Sequence, residues 1–228
     1  MLNEFILAHT LNIQVKVFIL TLLADNMLRI LAFSDLHGDP KLIEKVKSEV
    51  KSKSIDVVLC CGDITPIHGN TIEVARAIGN LGVRTLAVPG NFELPDDMRI
   101  ACKENNWTDL HGKYIEVKGY LFAGCGGGNK SPFNTPYELS EDEFKDILSK
   151  LDTISSGFIM LTHCPPYGVV DEAKNGIHLG SKAIAEFITL KKPLLHFCGH
   201  IHEQGGNEGM LNGTKVINVA RNIRIIEI

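Results

Sequence analysis

An α/β fold is predicted by three features of this chain. Short apolar runs of strand length recur, stretches with apolar residues at helical spacing separate them, and Gly, Pro and Asn mark most of the junctions. From residue 28 the order reads βαβαβα, the arrangement of parallel strands joined by right-handed crossovers.

The elements can be justified one by one. Residues 28–33 are an apolar run that reads as a buried strand. Asp39-Pro40 then supplies a helix N-cap and a proline at the first helical position, and Leu42, Ile43, Val46 and Val50 fall on one face. A second strand covers 55–60. A helix follows over about 71–81, with Ile72, Ala75, Ile78 and Leu81 on one side. The third strand, 85–88, precedes a helix near 96–105. Residues 114–117 and 120–123 then form a hairpin around Lys118-Gly119. Gly126-Gly127-Gly128 opens a loop that runs through Pro136. Ser140 and Glu143 make a capping box for a helix whose apolar face is Phe144, Ile147, Leu148 and Leu151. A strand at 157–161, a helix at about 180–189 and a strand at 194–198 follow. Two segments expected to be antiparallel, 216–219 and 223–226, close the chain.

With 228 residues, no internal repeat and no low-complexity linker, residues 27–228 read as one domain. Residues 1–26 are an extension. Their apolar stretch, 5–23, contains His9, Asn12, Gln14 and Lys16 and starts after Glu4, which fits neither a signal peptide nor a membrane span. Whether the extension adds a strand or reflects a misplaced translation start stays open. The net charge of −4 gives no general attraction to nucleic acid or an anionic membrane. Six cysteines without a CxxC pair argue against a structural zinc site. Four of them (Cys60, Cys61, Cys164, Cys198) lie in or beside apolar runs, as buried thiols in a reducing cytosol would.

Five short motifs follow the strand-like runs: Asp35-Leu36-His37, Gly62-Asp63, Gly90-Asn91-Phe92-Glu93, Thr162-His163 and Gly199-His200-Ile201-His202. Open α/β sheets build their sites at the carboxyl ends of strands, so these side chains should converge. Asp35 and His37, two residues apart in a stretch expected to be extended, should point the same way. Carboxylate, imidazole and amide oxygen suit a divalent ion, and a carboxylate can bridge two. Two such ions make a nucleophile from water near neutral pH and clamp a phosphoryl group, with no catalytic Ser or Cys required.

The ordered set resembles the calcineurin-like metallophosphoesterase superfamily, whose pattern is DxH, GD, GNH[DE], a lone His and GHxH. The resemblance covers roughly residues 28–220 and is closer to small prokaryotic phosphodiesterases, including Icc-like ones, than to Ser/Thr protein phosphatases or DNA-repair nucleases; the former share the Gly-rich loop and the Pro-Phe-Asn-Thr-Pro-like segment. It implies a four-layer αββα sandwich of two mixed sheets flanked by helices. It also implies that Asp35, His37, Asp63 and His202 hold one metal, and that Asp63 as the bridge, Asn91, His163 and His200 hold a second. Asn91 would also contact the phosphate. Mn²⁺, Fe²⁺, Zn²⁺ and Ni²⁺ all suit these ligands. The implied activity is hydrolysis of a small phosphoester, a diester rather than a monoester.

Phe92 departs from that pattern. The family has His there, acting on the leaving-group oxygen, and phenylalanine neither donates nor accepts a proton. A positioned acid contributes about 10²–10⁴-fold. His178 or His111 are the candidate substitutes, with His178 favoured because it opens a helix after the His163 motif. Glu93 is expected to orient a neighbour and His196 to be a core residue. His68 is expected in a loop and Asn134 in a turn, while Arg221 and Asn222 have no assigned role. Two rival readings stay open: a metal-binding scaffold without catalysis, favoured only by Phe92, and a nuclease, disfavoured by the acidic balance. The oligomeric state is not readable.

Overall fold

Strand side chains point alternately to opposite faces, and here both faces of the central strands are apolar. The computed structural model describes residues 27–174 and 176–228; the extension 1–26 lies outside them. The first half contains β1 (Arg29–Phe33), α1 (Pro40–Ser52), β2 (Val57–Cys60), α2 (Thr71–Ile78), β3 (Arg84–Ala87), α3 (Pro95–Glu104) and β4 (Thr108–Asp109). Next come β5 (Lys113–Val117), β6 (Tyr120–Cys125), β7 (Gly128–Asn129), β8 (Glu138–Leu139), α4 (Glu141–Ser149) and β9 (Ile159–Thr162). The chain continues through β10 (Glu172–Ala173), β11 (Ile177–His178), α5 (Lys182–Lys191), β12 (Leu195–Cys198), β13 (Glu208–Leu211), β14 (Thr214–Asn218) and β15 (Ile223–Glu227).

Two large sheets result. One has the order β15-β1-β2-β3-β4, the other β13-β14-β12-β9-β6-β5. Strands β1 to β4 run parallel, as do β6, β9, β12 and β14. Antiparallel strands edge them: β15 on the first sheet, β5 and β13 on the second. Both sheets are therefore mixed.

Alternation builds three apolar layers. Leu31, Phe33, Val58 and Cys60 face α1 to α3, where Ile43, Val46, Ala75, Ile78, Met98 and Ala101 meet them. Ile30, Ala32, Val57, Leu59 and Leu86 face the other way, onto Phe122, Ile159, Leu161, Phe197 and Ile217 of the second sheet. Ala123 and Met160 turn outward from that sheet to Phe144, Leu148, Ile184 and Phe187 of α4 and α5. The order is helices, sheet, sheet, helices: an αββα sandwich.

Local signals explain the helix ends. Asp39 caps α1 by accepting from Lys41 N at 2.9 Å, and Ser140 and Glu143 form the capping box of α4. Helix α2 stops at Ile78 rather than near 81, because Gly79 takes φ 76° and its N–H closes on Ala75 O. Lys118 and Gly119 both have positive φ, as a two-residue hairpin turn requires. The last two segments each pair antiparallel as expected, but with different partners in different sheets. Strand β14 runs parallel to β12 and antiparallel to β13, an exposed Glu-Gly-Met-Leu edge with no apolar run to announce it. Strand β15 leaves that sheet and pairs antiparallel with β1.

Candidate metal centre

All seven expected ligands lie just beyond the carboxyl ends of parallel strands, and the two sheets bring them to one crevice. Asp35 and His37 follow β1, Asp63 follows β2 and Asn91 follows β3, while His163 follows β9 and His200 and His202 follow β12. Two glycines let the loops touch. A Cβ on Gly90 would collide with the Asp63 carboxylate, and one on Gly199 would collide with Ser34 and Asp35.

The ligands form two adjoining groups, Asp35/His37/His202 and Asp63/His163/His200. In the first, His202 Nε2 lies 3.2 Å from Asp35 Oδ1 and 3.3 Å from His37 Nε2. In the second, His163 Nε2 lies 2.8 Å from Asn91 Oδ1 and 3.4 Å from Asp63 Oδ2. The His163 and His200 rings are 4.9 Å apart. Asp63 Oδ2 is also 4.0 Å from His37 Nε2, so this carboxylate stands between the groups.

Hydrogen bonds behind the ligands set their orientation. His37 Nδ1 is 3.1 Å from Thr65 O and His163 Nδ1 is 2.9 Å from Cys61 O. Carbonyls only accept, so each Nδ1 carries the proton and each Nε2 faces the crevice. His163 Nε2 then has only acceptors as bonded neighbours, Asn91 Oδ1 and Asp63 Oδ2. That arrangement demands positive charge, either a proton on the ring or a cation between the three. The site therefore fits a divalent ion by its donor chemistry.

Electrostatics follow from the same contacts. Burial alone would depress His163, but Asp63 outweighs it and lifts the ring to about 9. Burial would raise Asp35, yet the bond from His202 and the field of His163 hold its carboxyl below the usual range. His202 is raised by its bond to Asp35. His200, partly buried beside His163, is pushed down to about 4 by desolvation first and by the neighbouring His163.

The expected extended geometry at Asp35–His37 does not occur. Asp35 (φ 57°) and His37 (φ 45°) are both left-handed, as are Asp63 (φ 50°) and His200 (φ 70°). Each such non-glycine residue costs on the order of 1–3 kcal/mol, and such strain concentrates at functional sites. The loop turns back on itself instead, with His37 N donating to Asp63 O at 3.0 Å. Both side chains still reach one point.

Glu93 orients not one neighbour but a whole loop pair. Its buried carboxylate accepts from Asp63 N (2.8 Å), Gly90 N (2.7 Å) and Thr65 N (2.8 Å). Burial first, and then Asp63, push its pKa to about 7, against the pull of those amides. Phe92 N donates to Asp63 Oδ1 at 2.9 Å, and its ring stands edge-on to His37 at 5.3 Å. The 126–136 loop reaches the site through Thr135, whose Oγ1 accepts from Asn91 Nδ2 at 3.0 Å. Asn134 (φ 49°) makes the turn. Thr135 carried no sequence signal beyond its place in the loop.

The other histidines divide. His111 is consumed: Nδ1 accepts from Gly126 N at 2.9 Å, Nε2 meets Tyr137 Oη at 3.0 Å, and burial lowers it to about 4. It clasps the Gly-rich loop. His196 is a core residue bonded to Thr162 Oγ1 at 2.8 Å, and its Nδ1 has no partner among the described residues. His68 lies exposed in a turn. His178 sits on β11 against Asp171 and Tyr167, outside both ligand groups. Arg221 is tied to Asp39 at 3.2 Å on the rim.

Comparison with known proteins identifies the family and the fold. Residues 28–204 match the family model described as calcineurin-like phosphoesterase. An uncharacterized protein of Methanocaldococcus jannaschii is 34% identical over 186 residues, 77% of this chain and 81% of that protein. The fold resembles that of TT1561 of Thermus thermophilus, with TM-score 0.65 and 19% identity, over 88% of this chain and 98% of that one. It also resembles a dimetal phosphatase from Danio rerio, with TM-score 0.60 and 14% identity over 84% and 86% of the two chains.

Proposed function

This chain belongs to the calcineurin-like phosphoesterase family, and from that premise we propose that it is a two-metal hydrolase of phosphoesters, diesters before monoesters. The observation that carries the reading is the gathering of Asp35, His37 and His202 beside Asp63, His163 and His200, two adjoining groups of metal-ligating atoms, with Asn91 Oδ1 against His163 Nε2. Asp35, His37, Asp63 and His202 would hold one ion. Asp63, Asn91, His163 and His200 would hold the other, and Mn²⁺, Fe²⁺, Zn²⁺ and Ni²⁺ all match these donors. Bound there, the ions supply Lewis acidity toward the phosphoryl oxygens and a lowered pKa for water.

The protein's own residues do the positioning. Glu93 fixes the backbone that carries Asp63 and Asn91, and Thr135 holds the Asn91 amide; Asn91 would also contact the phosphate. The Phe92 ring beside His37 favours a diester, because it offers apolar contact to a second ester group and no charge for a monoester's extra anion. Residues 27–228 would constitute the catalytic unit, acting on a small phosphoester rather than on nucleic acid. All six cysteines are free and buried, which supports a reducing cytosol as its compartment. No helix among the described residues is long and apolar enough to cross a membrane.

Metal content and hydrolysis of bis-(p-nitrophenyl) phosphate test the proposal together. The purified protein should bind transition metal and turn the ester over, and Asp63→Ala should abolish turnover. A metal-free protein after loading, or an unchanged rate in Asp63→Ala, refutes it.

A further inference from the structure

Residues 165–174 leave the His163 loop, and residues 176–181 lead back to α5, with β10 and β11 paired antiparallel between them. This strap is organised by one fully buried carboxylate. Asp171 Oδ2 accepts from Gly168 N and Gly180 N, both at 3.0 Å, and these two bonds already close the strap. Oδ1 is left for His178, whose Nδ1 lies 2.7 Å away. Next to Asp171 stands Val170 at φ 47°, a genuine outlier for a β-branched residue. The chain thus tolerates backbone strain where it seats this carboxylate.

The strap is anchored to both walls of the metal crevice. Buried Asn218 donates through Nδ2 to Val170 O (3.1 Å), Gly199 O (3.0 Å) and Ile201 O (3.3 Å), which ties the strap to the His200–His202 loop. On the other side Asn129 Nδ2 donates to Leu179 O at 2.9 Å. Its neighbour Gly128 packs on Asn91 and His200 so closely that an added Cβ would lie 2.9 Å from Asn91 Cβ and 3.1 Å from His200 Cε1. His178 therefore sits one residue from a carbonyl hung on the loop that touches two expected ligands.

We infer that His178, oriented by Asp171, is the general acid that protonates the leaving group in place of Phe92. The inference rests on the phosphoesterase reading. With Nδ1–H given to Asp171, Nε2 is left without a hydrogen-bond partner among the described residues, on a side chain 39% exposed. Asp171 first, with Glu172 adding, favours the imidazolium; Tyr167 packs against the ring, and Lys182 lies across Tyr167. A nucleophile derived from water attacks phosphorus and the bond to the leaving oxygen breaks. The electron pair stays on that oxygen, which takes the Nε2 proton. His178 becomes neutral and recovers a proton from solvent. Asp171 is a positioning residue: it fixes the tautomer and raises the ring's proton affinity, as a carboxylate behind a catalytic imidazole does.

The test uses the metal-loaded protein and phosphodiesters whose leaving groups grade from nitrophenol through phenol to an alkyl alcohol. Wild type should show a shallow fall in kcat/KM along the series. His178→Gln should lose about 10²–10⁴-fold on the alkyl ester and far less on the nitrophenyl ester, with metal content unchanged. Adding Phe92→His to that variant should restore much of the alkyl rate. Asp171→Asn should move the basic limb of the pH–rate profile to lower pH. Independently of turnover, the His178 ring signals in the NMR spectrum should titrate above the ordinary histidine value and drop in Asp171→Asn. A steep fall in wild type, equal losses on all leaving groups in His178→Gln, or an ordinary His178 titration would each overturn the assignment. If wild type cleaves none of the esters, the phosphoesterase reading itself fails.

Discussion

Replacing Glu93 by alanine removes the one acceptor for three buried amides, those of Asp63, Gly90 and Thr65. Leaving a buried N–H unsatisfied costs about 1–3 kcal/mol, so three of them cost about 3–9 kcal/mol. Water entering the vacated space holds the loss toward the low end, about 3–5 kcal/mol. In a domain of this size that lowers Tm by roughly 6–20 °C. Glu93→Gln should be milder. One amide oxygen can still serve Asp63 N and Gly90 N, which share Oε2, but the new NH₂ then faces the Thr65 N–H, at a cost of about 1–3 kcal/mol. Urea denaturation of the metal-free protein reads the stability, and isothermal titration with Mn²⁺ reads the site. The reasoning is wrong if Glu93→Ala stays within about 1 kcal/mol of wild type, or if Gln is worse than Ala.

Three further outcomes follow from the same geometry. His196 is buried with its ring pushed down to about 3, so it stays neutral when folded and takes a proton only on unfolding. Stability should therefore be lost as pH falls from about 6.5 toward about 3, at roughly 1.4 kcal/mol per unit, or about 2 kcal/mol at pH 5. Denaturation of His196→Phe at pH 7.5 and pH 5 should show a gap between the two pH values smaller by that amount, and an unchanged gap would dismiss the assignment. Gly90→Ala should weaken metal binding at least tenfold by driving the Asp63 loop away, as equilibrium dialysis would measure. Divalent metal at about 100 times its Kd should raise stability by about 2.7 kcal/mol; a Tm indifferent to added metal and to chelator would contradict a cation site.

Much of the layout is readable because the information is local. The capping box at Ser140, the turn at Lys118-Gly119 and the apolar runs ending at Asp35, Asp63 and His163 are all decided within a few residues. What escapes sequence reading depends on partners far along the chain. Strand β13 is exposed and exists because β14 offers it an edge. Thr135 matters only because the Gly-rich loop folds over Asn91. The left-handed turns at Asp35 and His37 are imposed by Gly62–Ile64, whose carbonyls receive the backbone amides of residues 35, 37 and 38. Glu93 shows both sides: its orienting role follows from its chemistry, but the number of amides it gathers follows from two loops meeting.

The pairing of β15 with β1 also bears on how the protein is made. Arg29 to Phe33 match Glu227 to Ile223 residue for residue, and Arg29 meets Glu227 across 198 positions of chain. On the ribosome, the edge of β1 away from β2 has no partner among the described residues until the last strand of the sheet appears. An apolar strand with an open edge invites pairing with another chain. Helix α1 and strand β2, which follow next in the chain, cover one face and one edge of β1. The remaining edge must wait for residues 223–227, which makes synthesis of this fold most vulnerable to aggregation in the interval before its final strand is released.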